Sequence, residues 1–175
     1  AVIEAFDELE ESQIRGMGYF IPQVDNPEFA GIKVRANQTR YDFIYSDTSE
    51  GMLNVFPDGG FQGSYGVASF EDGKFHSFFL GAGRMLEKKG WKVEIPDKEG
   101  ALMIKATPGG LIVKAYQPFL LTMPLPANAE DQIVLTTQGI TPSQTFSGEI
   151  IPGGNQQSVV FELPALKNTT LEMSH

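Results

Sequence analysis

SYGVASFEDGKFHSFFL, residues Ser64 to Leu80, reads as two extended runs folded back on each other around Asp72-Gly73. Asp-Gly takes the positive φ angles of a two-residue type I′ loop at little cost, and such loops match the twist of antiparallel strands. A two-residue loop also sets a register. Phe70 is expected opposite Phe75 and Ala68 opposite Ser77 on one face, with Glu71–Lys74, Ser69–His76 and Val67–Phe78 on the other.

The same pattern extends in both directions. Apolar and β-branched runs at 32–36, 41–46 and 52–56 are separated by clusters of Gly, Pro, Asn and Asp, the punctuation of short strands. Downstream, Thr107-Pro108-Gly109-Gly110 joins runs at 101–106 and 111–116. The pairs Ala106–Leu111, Ile104–Val113 and Leu102–Ala115 are all apolar, which assigns that face to the core. Trp91, Val93 and Ile95 alternate just upstream and are expected to add a third strand to a meander. Gly81-Ala82-Gly83-Arg84 reads as a turn, because it lacks the third spaced glycine and the lysine of a phosphate-binding loop.

At the amino end Ile3, Phe6, Leu9 and Ile14 recur at helical steps, and Glu4, Asp7, Glu8, Glu10 and Glu11 fill the other side, which predicts a short acidic helix. Beyond Tyr116 the composition changes. Pro118, Pro124 and Pro126 interrupt the chain, charge thins out, and further strands are expected at 132–138, 145–151, 158–163 and 170–173. The expected division is a main β domain with its acidic helix over 1–117 and a proline-rich connection with carboxy-terminal strands over 118–175, sharing one core. The expected fold is all-β, an antiparallel sandwich or flattened barrel of roughly ten short strands with one short helix.

Composition narrows function. The formal charge of −9 and pI near 4.7 repel phosphate backbones and anionic lipid, so neither nucleic acid nor a membrane surface is an expected partner. No run approaches the ~20 apolar residues of a membrane helix. The chain has no cysteine, which removes disulfide scaffolds, thiol catalysis and cysteine metal sites. It leaves the compartment open, with a secreted, surface or particle-associated setting favoured over the cytoplasm. No cofactor is expected. Calcium held by turn residues such as Asp58, Asp72 and Asp97 is the alternative, since hard oxygen ligands can be scattered over loops.

Three functional readings follow. The first is a non-enzymatic recognition or assembly protein that works through protein contacts or self-association. Its surfaces are the basic cluster Arg84, Lys88, Lys89 and Lys92 and the acidic helix carrying Glu4, Glu8 and Glu11, which are electrostatically complementary. The second is a binding barrel for a sugar or apolar small ligand, with Tyr41, Phe43 and Tyr45 on one strand face as an aromatic platform. The third is a hydrolase using paired carboxylates or Ser69 as nucleophile with His76 as base. His76 is the only internal histidine, and a triad further needs an oriented acid and an oxyanion pocket.

Overall fold

The computed structural model describes residues 14–49, 51–125, 133–139, 141–152 and 157–174. They form fifteen strands: β1 Gly16–Phe20, β2 Phe29–Arg35, β3 Arg40–Asp47, β4 Asn54–Phe56, β5 Gly59–Glu71, β6 Lys74–Lys88, β7 Trp91–Glu94, β8 Gly100–Thr107, β9 Gly110–Ala115, β10 Phe119–Pro124, β11 Val134–Gln138, β12 Thr145–Ser147, β13 Glu149–Ile151, β14 Ser158–Leu163 and β15 Leu166–Ser174. Every pairing is antiparallel. The expected all-β antiparallel class is the observed one, with more strands than the ten expected. The amino-terminal acidic helix falls outside the described residues, and so do Glu4, Glu8 and Glu11.

The long β5–β6 hairpin is the spine. Along its tip half, β5 pairs with β3 and β6 with β8, giving the order β1-β2-β3-β5-β6-β8-β9-β15-β11-β12. Along its base half the same strands pair with β4 and β7 instead, and the sheet continues through β10 and β14 to β13. The sheet therefore forks at the hairpin, and its two branches close over one core. That core takes Phe43, Phe70, Phe78 and Ile104 from the first branch and Val93, Leu121 and Phe161 from the second. Ten of its 26 buried residues follow Tyr116 in sequence, so both parts of the chain contribute to it.

The fork needs a corner, and glycine makes it. Register shifts occur between Gln62 and Gly63 on β5 and between Leu80 and Gly83 on β6. A Cβ at Gly63 would lie 2.5 Å from the Gly83 Cα, and Gly63 has φ 154°, so the two backbones cross closer than any side chain permits. The Gly81–Arg84 segment is accordingly a bend inside a continuous fifteen-residue strand rather than the expected turn. Ala82 there has φ 47°.

Asp72 (φ 50°) and Gly73 (φ 76°) both lie in the left-handed region, as the expected type I′ loop requires. Beyond the loop, Glu71 faces Lys74 and Phe70 faces Phe75 as expected, and then the register slips. Ser69 pairs with Ser77, Ala68 with Phe78 and Val67 with Phe79, which leaves His76 as the extra residue of a bulge. The slip carries Phe78 onto the core face, where it is 1 % exposed. The β8–β9 register matches expectation pair for pair. The meander does not: β7 pairs with β6 and β10 and lies in the other branch from β8. The segment around Phe119-Leu120-Leu121, expected as a proline-broken connection, is the paired strand β10. Pro118 precedes its first residue and Pro124 is its last, positions where a missing N–H is tolerated. The expected strand at 145–151 is two strands, β12 and β13, split at Gly148.

Candidate functional site

The corner creates a cleft. With β5 and β6 bent at Gly63 and Gly83, the loop after β3 and the loop before β8 stand on either side of the bend. They enclose about 570 Å³ lined by Thr48, Ser49, Gln62, Ser64, Arg84, Lys98 and Glu99. The lining is hydroxyls, one amide and charge, in the proportion that hydrogen-bonds a hydroxylated ligand. Two cations against one carboxylate make the cleft formally positive, although the chain carries −9. The Arg84 guanidinium donates to the Pro96 carbonyl and so is braced against the loop before β8. Lys98 has no ion-pair partner among the described residues.

A buried polar knot fixes the other wall. Asn26, Asp47 and Asn54 are 7 %, 2 % and 2 % exposed, a cost met only by full hydrogen bonding. The Asp47 Oδ1 accepts from the Ser49 N–H at 2.8 Å and from its hydroxyl at 2.5 Å. Its Oδ2 accepts from the amides of Asn54 and Asn26, and Asn26 also donates to Asn54 Oδ1 at 2.9 Å. Burial pushes the Asp47 pKa up, but these hydrogen bonds outweigh it and hold the carboxyl below its usual value. The donors come from three separate places in the chain, so the knot ties the loop after β3 to the turn before β2 and to β4. Gln62 Nε2 adds a bond to the Gly51 carbonyl at 2.6 Å. Both Asp47 oxygens are taken up by amide and hydroxyl donors. Among the described residues no three His, Cys, Asp or Glu side chains converge as a metal-binding group.

Apart from Arg84, the described residues singled out from sequence lie elsewhere. Ser69 is 2 % exposed and opposite Ser77, while His76 sits in its bulge with Nδ1 3.8 Å from Glu71 Oε2. The register gives Ser69 the partner Ser77 and leaves His76 as the extra residue of the bulge. Tyr41, Phe43 and Tyr45 do share one face of β3, but that face is the core side. Phe43 is 8 % and Tyr45 0 % exposed, Tyr45 stacks on Phe61 at 5.1 Å, and only Tyr41 is partly open, with Lys33 Nζ 4.6 Å from its ring centre.

Of the four basic residues, Arg84 and Lys88 lie on β6, Lys89 in a tight turn and Lys92 on β7. Lys89 and Gly90 both have positive φ, a second two-residue hairpin turn. Lys88 is buried, bonded to Asp58 at 2.5 Å and 4.2 Å from the Phe43 ring centre. Lys92 pairs with Glu94 at 2.5 Å, and Lys89 lies 4.8 Å from the Phe70 ring centre. Of the four, Arg84 alone lines the cleft. Sequence reasoning missed its companions Thr48, Ser49, Gln62, Ser64, Lys98 and Glu99, because no local pattern joins a β3 loop to a β8 loop. The usable signal was Gly63 with Gly83, which marks where two strands could cross.

A second cavity of about 450 Å³ opens between the branches near Phe75, Trp91, Met123, Leu135 and Met173. It is largely apolar, and the Trp91 ring stacks on Phe75 with centroids 3.9 Å apart.

A family model covers the corner cleft in full and the apolar cavity in part. It matches residues 20–105 and is that of the endo-acting ulvan lyase C-terminal domain. The match runs from the last residue of β1 into β8, just under half of the chain, and contains every residue of the corner cleft. Met123, Leu135 and Met173 of the apolar cavity lie beyond it. No curated protein and no solved structure matches the chain. The described residues contain no helix long and apolar enough to cross a membrane.

Proposed function

We propose that this antiparallel β protein is a non-catalytic recognition domain that binds an acidic polysaccharide in the corner cleft. The observation that carries the reading is the cleft itself, a hydroxyl- and amide-lined site with a local excess of positive charge in a strongly acidic chain. Its position within the span similar to the ulvan lyase C-terminal domain supports a carbohydrate as the ligand and ulvan as the first to try. Arg84 meets an acid group of the ligand from the bend of β6, Lys98 meets a second from the opposing loop, and Gln62, Ser64 and Thr48 bond sugar hydroxyls. The glycine corner and the Asp47 knot hold both walls in place before the ligand arrives, which lowers the ordering cost of binding.

Affinity electrophoresis through gels containing ulvan tests this, with a neutral polysaccharide as the control. The protein is expected to be retarded by ulvan and not by the neutral polymer, and retardation should weaken as salt rises. Arg84→Ala and Lys98→Ala should each lower affinity about tenfold, the loss of one charge-assisted contact. Migration unchanged by ulvan, or retardation that survives both substitutions, would exclude the cleft as the site.

A further inference from the structure

The apolar cavity between the branches lies apart from the corner cleft, and its lining has a direction. Leu111, Met123 and Leu135 are 4 %, 4 % and 0 % exposed and form its floor, whereas Lys74, Pro108 and Gly109 are exposed and surround its mouth. One wall is the stack of Phe75 on Trp91, which bridges the tip half of β6 and the start of β7. Little else fills the space. Ala106 and Gly109 supply at most a methyl group, and a Cβ at Gly109 would meet nothing within 4 Å.

A hollow of about 450 Å³ is in the range of small-molecule sites and does not admit a helix about 10 Å across. Its interior is hydrocarbon, aromatic ring and thioether, which offers nothing to the hydroxyls of a sugar. The polar groups are at the mouth. Neither the Lys74 ammonium nor the Thr107 hydroxyl has a hydrogen bond or ion pair among the described residues. Glu71 faces Lys74 across the hairpin, yet its Oε2 lies 3.8 Å from Nδ1 of the bulged His76, which leaves the lysine uncompensated. Residues 126–132, within the link from β10 to β11, read Pro-Ala-Asn-Ala-Glu-Asp-Gln and contain no apolar side chain larger than that of proline with which to fill the cavity.

The geometry points to this cavity as a binding site for a small amphipathic carboxylate. The apolar body of the ligand fills the space over Leu111, Met123 and Leu135, and its carboxylate stays at the mouth beside Lys74 and Thr107. Hydrocarbon and ring surface then replaces water inside, and the ammonium adds a charge-assisted contact at the opening. Met123 and Met173 are unbranched and adaptable, so the walls can follow ligands of different shape. No residue of this lining is shared with the corner cleft, and the site stands independently of the polysaccharide reading.

Trp91 is the only tryptophan of the chain and lines the cavity, so its fluorescence reports occupancy. Titration of the 175-residue chain with decanoate, kept below its micelle concentration, is expected to shift the Trp91 emission and to saturate with a dissociation constant below about 1 mM. Lys74→Gln should weaken decanoate about tenfold and leave the affinity for uncharged decanol unchanged. Ala106→Phe places a ring in the hollow and should abolish the shift for both ligands without lowering the thermal melt. Arg84→Ala, in the corner cleft, should leave the titration as it is. An emission that does not saturate, a decanoate affinity indifferent to Lys74→Gln, or binding that survives Ala106→Phe would overturn the site.

Discussion

Asp47 and Tyr45 are two residues apart on one strand and show opposite outcomes of burying a polar group. Four donor contacts compensate Asp47, so removing its carboxylate strands the amides of Asn26 and Asn54. Asp47→Ala should cost about 3 kcal/mol of stability, read by urea denaturation. The lowered pKa adds a pH dependence. Folded Asp47 holds its proton less readily than the unfolded chain does. Its contribution is therefore complete above the usual carboxylate range and declines as pH falls below about 4 towards the folded value. Thermal melts from pH 6 downward should show this decline, and Asp47→Asn should flatten it. The Tyr45 hydroxyl, by contrast, is buried without a hydrogen-bond partner. Burial and then the Asp58 charge push its pKa far above the usual range. Tyr45→Phe removes an unpaired polar atom and keeps the stacked ring, so it should stabilise the protein by about 1 kcal/mol. A destabilised variant would mean that the hydroxyl has a partner.

The β5–β6 hairpin belongs to both branches of the sheet, and the demands on its glycines differ along its length. Gly63 lies where a Cβ would strike the backbone of Gly83, whereas a Cβ at Gly73 would meet nothing within 4 Å. Gly73→Ala should cost about 1 kcal/mol, the penalty of a positive φ alone. Gly63→Ala must push two strands apart, and it should cost more than 2 kcal/mol and weaken ligand retardation, because it reshapes the cleft floor. Equal losses of stability at the two positions would show that the crossing is looser than this geometry. The same hairpin shows how far sequence carries. Asp72-Gly73 specified the loop and the first two pairs correctly. The bulge at His76 did not show, because Phe75, Phe78 and Phe79 all suit a strand, and only a covering layer selects Phe78 for the core. One slipped residue was enough to replace the expected Ser69–His76 register pair with Ser69–Ser77.

Across the whole molecule, the strands after Tyr116 do not sit apart. β15 pairs with β9 and β10 with β7, so removing them exposes two strands and takes ten residues from the core. A fragment ending at Tyr116 is expected to lack a cooperative thermal transition, although it contains the entire matched span and every cleft residue. A sharp melt for that fragment would instead establish a self-sufficient first domain.

Alternation of apolar residues, the Asp-Gly turn and the all-apolar pairs of β8 and β9 are local properties, each expressed within a few residues. They determined from sequence alone that the chain is antiparallel β and which faces of several strands turn inward. The cleft and the knot around Asp47 join residues distant in sequence, Thr48 with Glu99 in the one and Asn26 with Asn54 in the other. Their existence depends on which strands become neighbours and on where the sheet forks. Only the tertiary structure decided that, because a strand's pattern encodes which face is buried but not what covers it.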